Sequence, residues 1–352
     1  MYLHNVARTC FAATCLMVAI CANSATFDCR DPSVSATEKR ICSDPELSKL
    51  DNDLSAAYKS SDVDILNGYP VCPALFSWVD GLAKNRDACK DRLCIKTMYE
   101  ARLKQISDIE RISKSLAIPF TPCADGAETQ YDSKAWPANP SQTITLIVNP
   151  TTASDKDDED GPLYDFNLIV ENSVTGTILR WEAKMRILYL SAIYIDTANY
   201  MIQHGRRAFG VRIVSDQSGN PSVDSEALYL FDFQNLSMPQ VLSMPTAWDS
   251  GATGTDEACF SDHGYQSISI GKAITNGYFD LMVTEKMTHS EDRTSRYAKV
   301  GDCSVTHHLK KYTLHFDGTK YSVPTAPNSF YHDNESLFPP IKNFKWTLRS
   351  RQ

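Results

Sequence analysis

The chain has 352 residues, 42% of them hydrophobic, and a formal net charge of −8. That length suits two domains, and that apolar content supplies ordinary cores and excludes a globally disordered chain. The acidic balance argues against nucleic acid as a partner, because a phosphate backbone demands a surplus of Lys and Arg.

Residues 1–24 carry one formal charge, Arg8, ahead of an uncharged run from Cys10 to Ala22. The run is too short to span a bilayer but has the make-up of a signal-peptide core, with small residues at Ala22, Ser24 and Ala25 for cleavage. A leader over 1–24 and a periplasmic mature protein are expected. A lipid anchor through Cys21, or secretion, is the alternative. No second apolar run follows, so no transmembrane segment is expected.

Export decides how the cysteines read. Cys10, Cys15 and Cys21 leave with the leader, and Cys29, Cys42, Cys72, Cys89, Cys94, Cys123, Cys259 and Cys303 remain. An even count in an oxidising compartment implies bridges, and no Cys-x-x-Cys pair offers zinc spacing.

Residues 25–116 read as helical. Asp44-Pro45 is a start signal, with an acceptor side chain at the N-cap and a ring whose missing N–H is not needed at the first helical position. Leu47, Leu50, Leu54 and Tyr58 follow at helical spacing, which predicts a helix from Pro45 to about Ser60. A returning helix over about 73–88, after the turn at Asn67-Gly68, and a third over about 93–116 complete a hairpin-like set. This path brings Cys89 and Cys94 to the pole of Cys29 and Cys42, so those two pairs are expected to bond to each other in one order or the other. Cys72–Cys123 is expected at the opposite pole, and Cys259–Cys303 by elimination.

The ordered residues Phe27-Asp28-Cys29, Glu38, Ile41-Cys42, Pro45-Glu46-Leu47, Leu50-Asp51, Tyr58, Trp78, Arg86, Cys89, Cys94, Tyr99 and Arg102-Leu103 resemble the N-terminal domain of LprI-type lysozyme inhibitors. The resemblance covers about 27–109. Cys72 and a longer, Pro-containing segment between the first helices depart from the pattern. The resemblance implies a bacterial cell-envelope protein, not an enzyme, that binds a peptidoglycan-cleaving lysozyme and occludes its cleft. An immunity protein against a secreted antibacterial toxin, a non-inhibitory envelope binding module and, last, an envelope hydrolase are the competing expectations.

Pro119, Pro122, Pro137 and Pro140 interrupt residues 117–142, which read as a linker. Residues 143–352 read as β-structure. Apolar, β-branched runs begin at Thr143, Leu163, Thr177, Ile187, Phe209, Leu228, Gln266, Phe279, Val305 and Tyr321, many of them separated by Gly, Asn, Asp or Pro. Asp317-Gly318 between Tyr312 and Tyr321 predicts a hairpin. The fold class expected is α+β: a disulfide-stapled three-helix domain, then a larger, mainly antiparallel β domain built as a sandwich, barrel or partial propeller.

Candidates for chemistry are few. The acidic run Asp155–Gly161 puts Lys156 at the first position of a calcium loop, so a solvated loop tip is the expectation. His307 and His308 are adjacent on a strand and face opposite ways, one inward and one outward, with His315 further along. Ser261-Asp262-His263-Gly264 holds the residue types of a hydrolytic triad, but contiguity is not catalytic geometry, and a turn is expected there. Trp181, Trp248 and Trp346 are candidate interface anchors. No cofactor or metal is expected.

Overall fold

The computed structural model describes residue 27 and residues 29–58, 86–119, 129–151, 162–187, 190–217, 222–234, 237–251, 261–292, 303–323 and 342–350. The chain divides into two units: of the described residues, the first takes those up to Ile118 and the second takes Pro119 and all from Thr129 onward.

The first unit holds α1 (Ala36–Ser43), α2 (Pro45–Tyr58) and α3 (Arg92–Leu116). A capping box starts α1: the Ser35 hydroxyl accepts from the Glu38 N–H, and the Glu38 carboxylate accepts from the Ser35 N–H. Asp44 starts α2 as the sequence predicts, accepting from the N–H groups of Glu46 and Leu47 at 2.9 and 3.2 Å. On α3, Ile95, Tyr99, Arg102, Ile106, Ile109, Ile112 and Leu116 recur every three or four residues and are all buried, which sets one face against the rest of the unit. Ile41, Leu47, Leu54, Ile95, Tyr99 and Ile106 form its core. Residues 59–85 lie outside the described structure. Of the expected second helix only Arg86–Ala88 is seen, and it is helical.

The bridges correct the expected pairing. Cys29 bonds Cys42, and Cys89 bonds Cys94, with Cα separations of 5.8 and 5.5 Å. The four cysteines do gather at one pole, where Arg86 donates to Glu38 at 2.8 Å. Each finds a partner nearer in the chain, however. Cys94 sits in the first turn of α3, where side chains point back toward the N-terminus, toward Cys89. Cys303 is also disulfide-bonded. Cys72, Cys123 and Cys259 lie outside the described residues.

The second unit is two antiparallel sheets, and among the described residues the α-helices all belong to the first unit. One sheet runs in the order β1-β2-β3-β4-β12 and the other β11-β10-β9-β8-β7-β6-β5. The strands are β1 (Gln130–Ala135), β2 (Gln142–Pro150), β3 (Leu163–Asn172), β4 (Thr177–Arg186), β5 (Leu190–Gln203), β6 (Arg206–Gln217), β7 (Ser222–Phe231), β8 (Gln240–Gly251), β9 (Ser261–Thr275), β10 (Tyr278–Asp292), β11 (Cys303–Leu314) and β12 (Lys342–Ser350).

Both faces of β7 are buried, which explains its unbroken run Ala227-Leu228-Tyr229-Leu230-Phe231. Ala227, Tyr229 and Phe231 enter a core shared with the first sheet through Leu146, Phe166, Leu168 and Trp181. Leu228 and Leu230 enter a second core with Ile202 of β5, Leu281 and Val283 of β10 and Leu314 of β11. The second sheet therefore curls until β5 packs on β9 and β10. Fully burying side chains of this size stabilises by about 1.5–3 kcal/mol each.

Three strands escape the sequence patterns. β1 lies inside the stretch expected to be a linker, and it pairs with β2 from Gln130–Val148 to Ala135–Thr143. It has no apolar alternation; the partner strand sets its register, and Asp132 accepts from the Ile195 N–H of β5 at 2.8 Å. β8 contains Pro245, which sits beside a bulge opposite Glu226 and Ala227, a place where its missing donor is tolerated. β12 pairs with β4, Trp346 opposite Trp181. The hairpin expected at Asp317-Gly318 is present but short. The Asp317 N–H donates to the Lys320 carbonyl at 2.9 Å and the Ser322 N–H to the His315 carbonyl at 3.1 Å, on either side of a Phe316–Tyr321 bridge. The outward Tyr321 N–H donates to the Val241 carbonyl of β8 at 2.7 Å. Asn276 and Gly277, both at positive φ, make the tight turn between β9 and β10.

Candidate functional site

The β8–β11 end of the second sheet runs past its core. From Val305 to Lys311 every side chain of β11 is exposed, so both faces of the strand meet solvent. The expectation of one inward and one outward histidine is corrected here: His307 and His308 do face opposite ways, but both are exposed.

Strand register collects the sequence candidates. Asp249, His263, Thr288 and His307 are successive cross-strand partners on β8, β9, β10 and β11, so they share one face. Asp249 Oδ1 lies 2.8 Å from His263 Nδ1, and Thr288 Oγ1 lies 3.1 Å from His307 Nδ1. One residue along, Trp248, Gly264, Met287 and His308 form the corresponding row on the opposite face. One residue along in the other direction, and on that same opposite face, Asp262 Oδ1 meets His289 Nδ1 at 2.6 Å. Two Asp–His pairs thus stand on opposite faces of the same strand end.

The segment Ser261-Asp262-His263-Gly264 is strand rather than the expected turn. Its glycine serves packing: a Cβ at Gly264 would lie 1.9 Å from a Trp248 ring carbon. Trp248, a candidate surface anchor in the sequence, is only 5% exposed and is held on that glycine. Trp181 is likewise core, 1% exposed. His315 lies just past β11, its Nδ1 3.0 Å from Asp280 Oδ2, away from the other histidines.

An open cavity of about 580 Å³ covers this end, lined among others by Trp248, Asp249, His263, Tyr265, Lys286 and His307. Lys286 Nζ sits 5.2 Å above the Tyr265 ring, a cation–π contact that positions the ammonium. The Asp249 carboxylate favours the His263 tautomer with its hydrogen on Nδ1, leaving Nε2 as acceptor. Asp249 and His263 are each about half exposed, whereas the orienting carboxylate of a hydrolytic triad is buried. What this end exposes is a set of hydrogen-bonding groups, the Asp249 carboxylate, the His263 imidazole and the Lys286 ammonium among them.

A second polar cluster is enclosed. Arg212 donates to Asp196 at 2.7 Å, to Glu226, and to the hydroxyls of Thr246 and Tyr200 at 3.1 and 3.2 Å. Tyr194 and Thr246 also donate to Glu226, the latter at 2.5 Å, and Tyr200 donates to Asp196 at 2.7 Å. Burial alone would raise both carboxyls. Hydrogen bonds from Tyr200 and the Ala198 N–H to Asp196, and from Thr246 and Tyr194 to Glu226, together with Arg212, hold them below the usual range. Burial pushes the Tyr200 hydroxyl up to about 12. With every charge answered, this cluster braces β5–β8.

Sequence reasoning missed Asp249, Lys286, Thr288 and His289, which sit in no motif. The available signal was the alternation of exposed His263, Tyr265, Ser267 and Ser269 with Gly264, Gln266, Ile268 and Ile270. It extends the strand back through the supposed turn. The acidic run 155–161 lies outside the described residues. Among those residues no group of three or more His, Cys, Asp or Glu is placed to hold a metal ion, and no helix is long and apolar enough to cross a membrane.

No protein-family model, curated protein or solved structure matches the chain.

Proposed function

We propose that this chain is an exported, periplasmic protein that binds a peptidoglycan-cleaving lysozyme and inhibits it by covering its cleft. The observation that carries the reading is how the residues behind the LprI resemblance assemble. Ile41, Leu47 and Tyr99 share one core, Glu38 pairs with Arg86, and Tyr99 donates to Asp51 at 2.6 Å. Residues scattered over 27–103 in the sequence thus meet in one small body, with two bridges among its described residues. Such a body presents its surface with little left to order on binding, which favours an inhibitor. Disulfides fit an oxidising compartment, and the net charge of −8 suits a basic target. We read the β unit as a two-sheet sandwich whose second sheet curls toward a barrel.

The Asp249–His263 pair in an open cavity favours one second reading, an envelope hydrolase. A single experiment separates the two. The purified, oxidised full chain is titrated into peptidoglycan lysis by several lysozymes and secreted muramidases, and is also incubated with peptidoglycan alone. The inhibitor reading expects saturable, stoichiometric loss of lysis and no release of fragments by the chain itself. Unchanged lysis at every concentration overturns it. Fragment release abolished by His263→Ala establishes the hydrolase instead.

A further inference from the structure

The described side chains on the outward face of β9–β11 carry a charge opposite to that of the whole chain. The cross-strand rows of this face run through Tyr265–Lys286–Leu309 and Ser267–Thr284–Lys311, next to the row of His263, Thr288 and His307. Among the described side chains of this face the cations are Lys286 and Lys311, with no guanidinium. The carboxylate at its margin, Asp249, is engaged by His263. In a protein of net charge −8, that is a local reversal of sign. The face is also accessible: Tyr265 is 48% and Leu309 63% exposed, and the 580 Å³ cavity opens on it. From Ser269 to His263 it offers hydroxyl, aromatic, ammonium and imidazole groups in register, over about 20 Å of strand.

We propose that this face binds a carboxylate-bearing polysaccharide. The chemistry decides among anions. Dense phosphodiester polymers are held by many cations and, where recognition is bidentate, by Arg; two lysines on an acidic protein do not supply this. Lys286 and Lys311 are diagonal neighbours in adjacent rows, about 7–8 Å apart, and a pair of ammonium groups flanked by Ser and Thr hydroxyls matches a chain with few carboxylates and many hydroxyls. Tyr265 and Leu309 provide apolar contact for the C–H faces of sugar rings. The surface lies wholly within the second unit, and its argument does not rest on lysozyme inhibition.

The test is binding of the full-length oxidised protein to fluorescein-labelled polygalacturonate oligomers, followed by anisotropy, with dextran oligomers and polyphosphate as comparison ligands. Binding to the carboxylated glycan should weaken with salt and exceed that to both comparison ligands. Lys286→Glu and Lys311→Glu should each weaken it about tenfold, equivalent to about 1.4 kcal/mol. Tyr265→Ala should weaken it too, and Lys184→Glu on the other sheet should leave it unchanged. Circular dichroism and melting temperature confirm that each variant is folded. No binding by the unaltered protein, equal binding of polyphosphate, or equal loss in Lys184→Glu each overturns the proposal. Lysozyme inhibition measured on the same variants separates the two surfaces: an unchanged inhibition with lost glycan binding is the expected combination.

Discussion

The indole of Trp248 lies so close over Gly264 that a Cβ on the glycine would sit 1.9 Å from a ring carbon. This one contact joins β8 to β9 at the level where Asp249 meets His263 on the reverse face. Gly264→Ala must move the ring or part the strands, since the blocking atoms belong to a rigid, buried indole. The expected cost is about 1–3 kcal/mol. Chemical denaturation measures it, and the Trp248 fluorescence should shift to the red as the ring is displaced. An unchanged midpoint and spectrum would mean that the ring does not rest there.

The bridge pattern makes a chemical prediction. Peptide mapping without reduction should recover Cys29 joined to Cys42 and Cys89 joined to Cys94. The sequence separations are 13 and 5 residues, so the chain-entropy relation gives about 3 and about 2 kcal/mol respectively. Replacing Cys29 and Cys42 together by Ser should therefore cost more than replacing Cys89 and Cys94. Crossed peptides joining the first pair to the second would restore the pairing expected from sequence.

Asp317 offers a local pH probe. Its carboxylate accepts from the N–H of Lys320 at 2.9 Å, and from the hydroxyl and N–H of Thr319, both at 2.7 Å. These bonds, that from Lys320 first, hold its pKa at about 2. A depressed carboxyl stabilises the fold above its unfolded value near 4 and loses that contribution as pH falls toward 2. Carbon-detected NMR titration should place the Asp317 midpoint near 2. A midpoint near 4 would show that the turn is not closed by this side chain.

The legible parts of the molecule were those with local physics. Asp44-Pro45 announced α2 because a cap and a pre-set φ act within one turn. The runs at Thr143, Leu163 and Phe279 announced strands because buried β-branched and aromatic residues mark a pleated surface. β1 and β8 stayed hidden for opposite reasons. β1 is polar and takes its conformation from β2, while β8 carries a proline that only a bulge makes acceptable. The site was hidden more thoroughly. His263 and His307 are 44 positions apart in the numbering, and only the shared partner Thr288 puts them in one row. Asp262 and His263 looked like one constellation and are two, since alternation sends neighbours to opposite faces.

The enclosed Arg212 cluster yields the most demanding prediction. Asp196 and Glu226 are both held below the usual carboxylate range, where burial by itself would raise them. Their contribution is complete above the unfolded carboxylate values near 4 and is lost as pH falls through the folded ones. The unaltered protein should thus lose stability on acidification below about pH 4. Arg212→Met keeps the length and removes the charge, leaving two largely buried carboxylates without their cation. The cost at neutral pH should be about 3 kcal/mol. In the variant, burial is opposed only by the hydroxyl and amide donors, so both carboxyls rise and take up protons at higher pH. The variant should consequently recover part of its deficit as pH falls from 7 toward 5, where the unaltered protein is still flat. Urea midpoints at pH 7, 5 and 4 for both proteins test this. A deficit independent of pH would mean that Arg212 acts by packing its stem rather than by its charge.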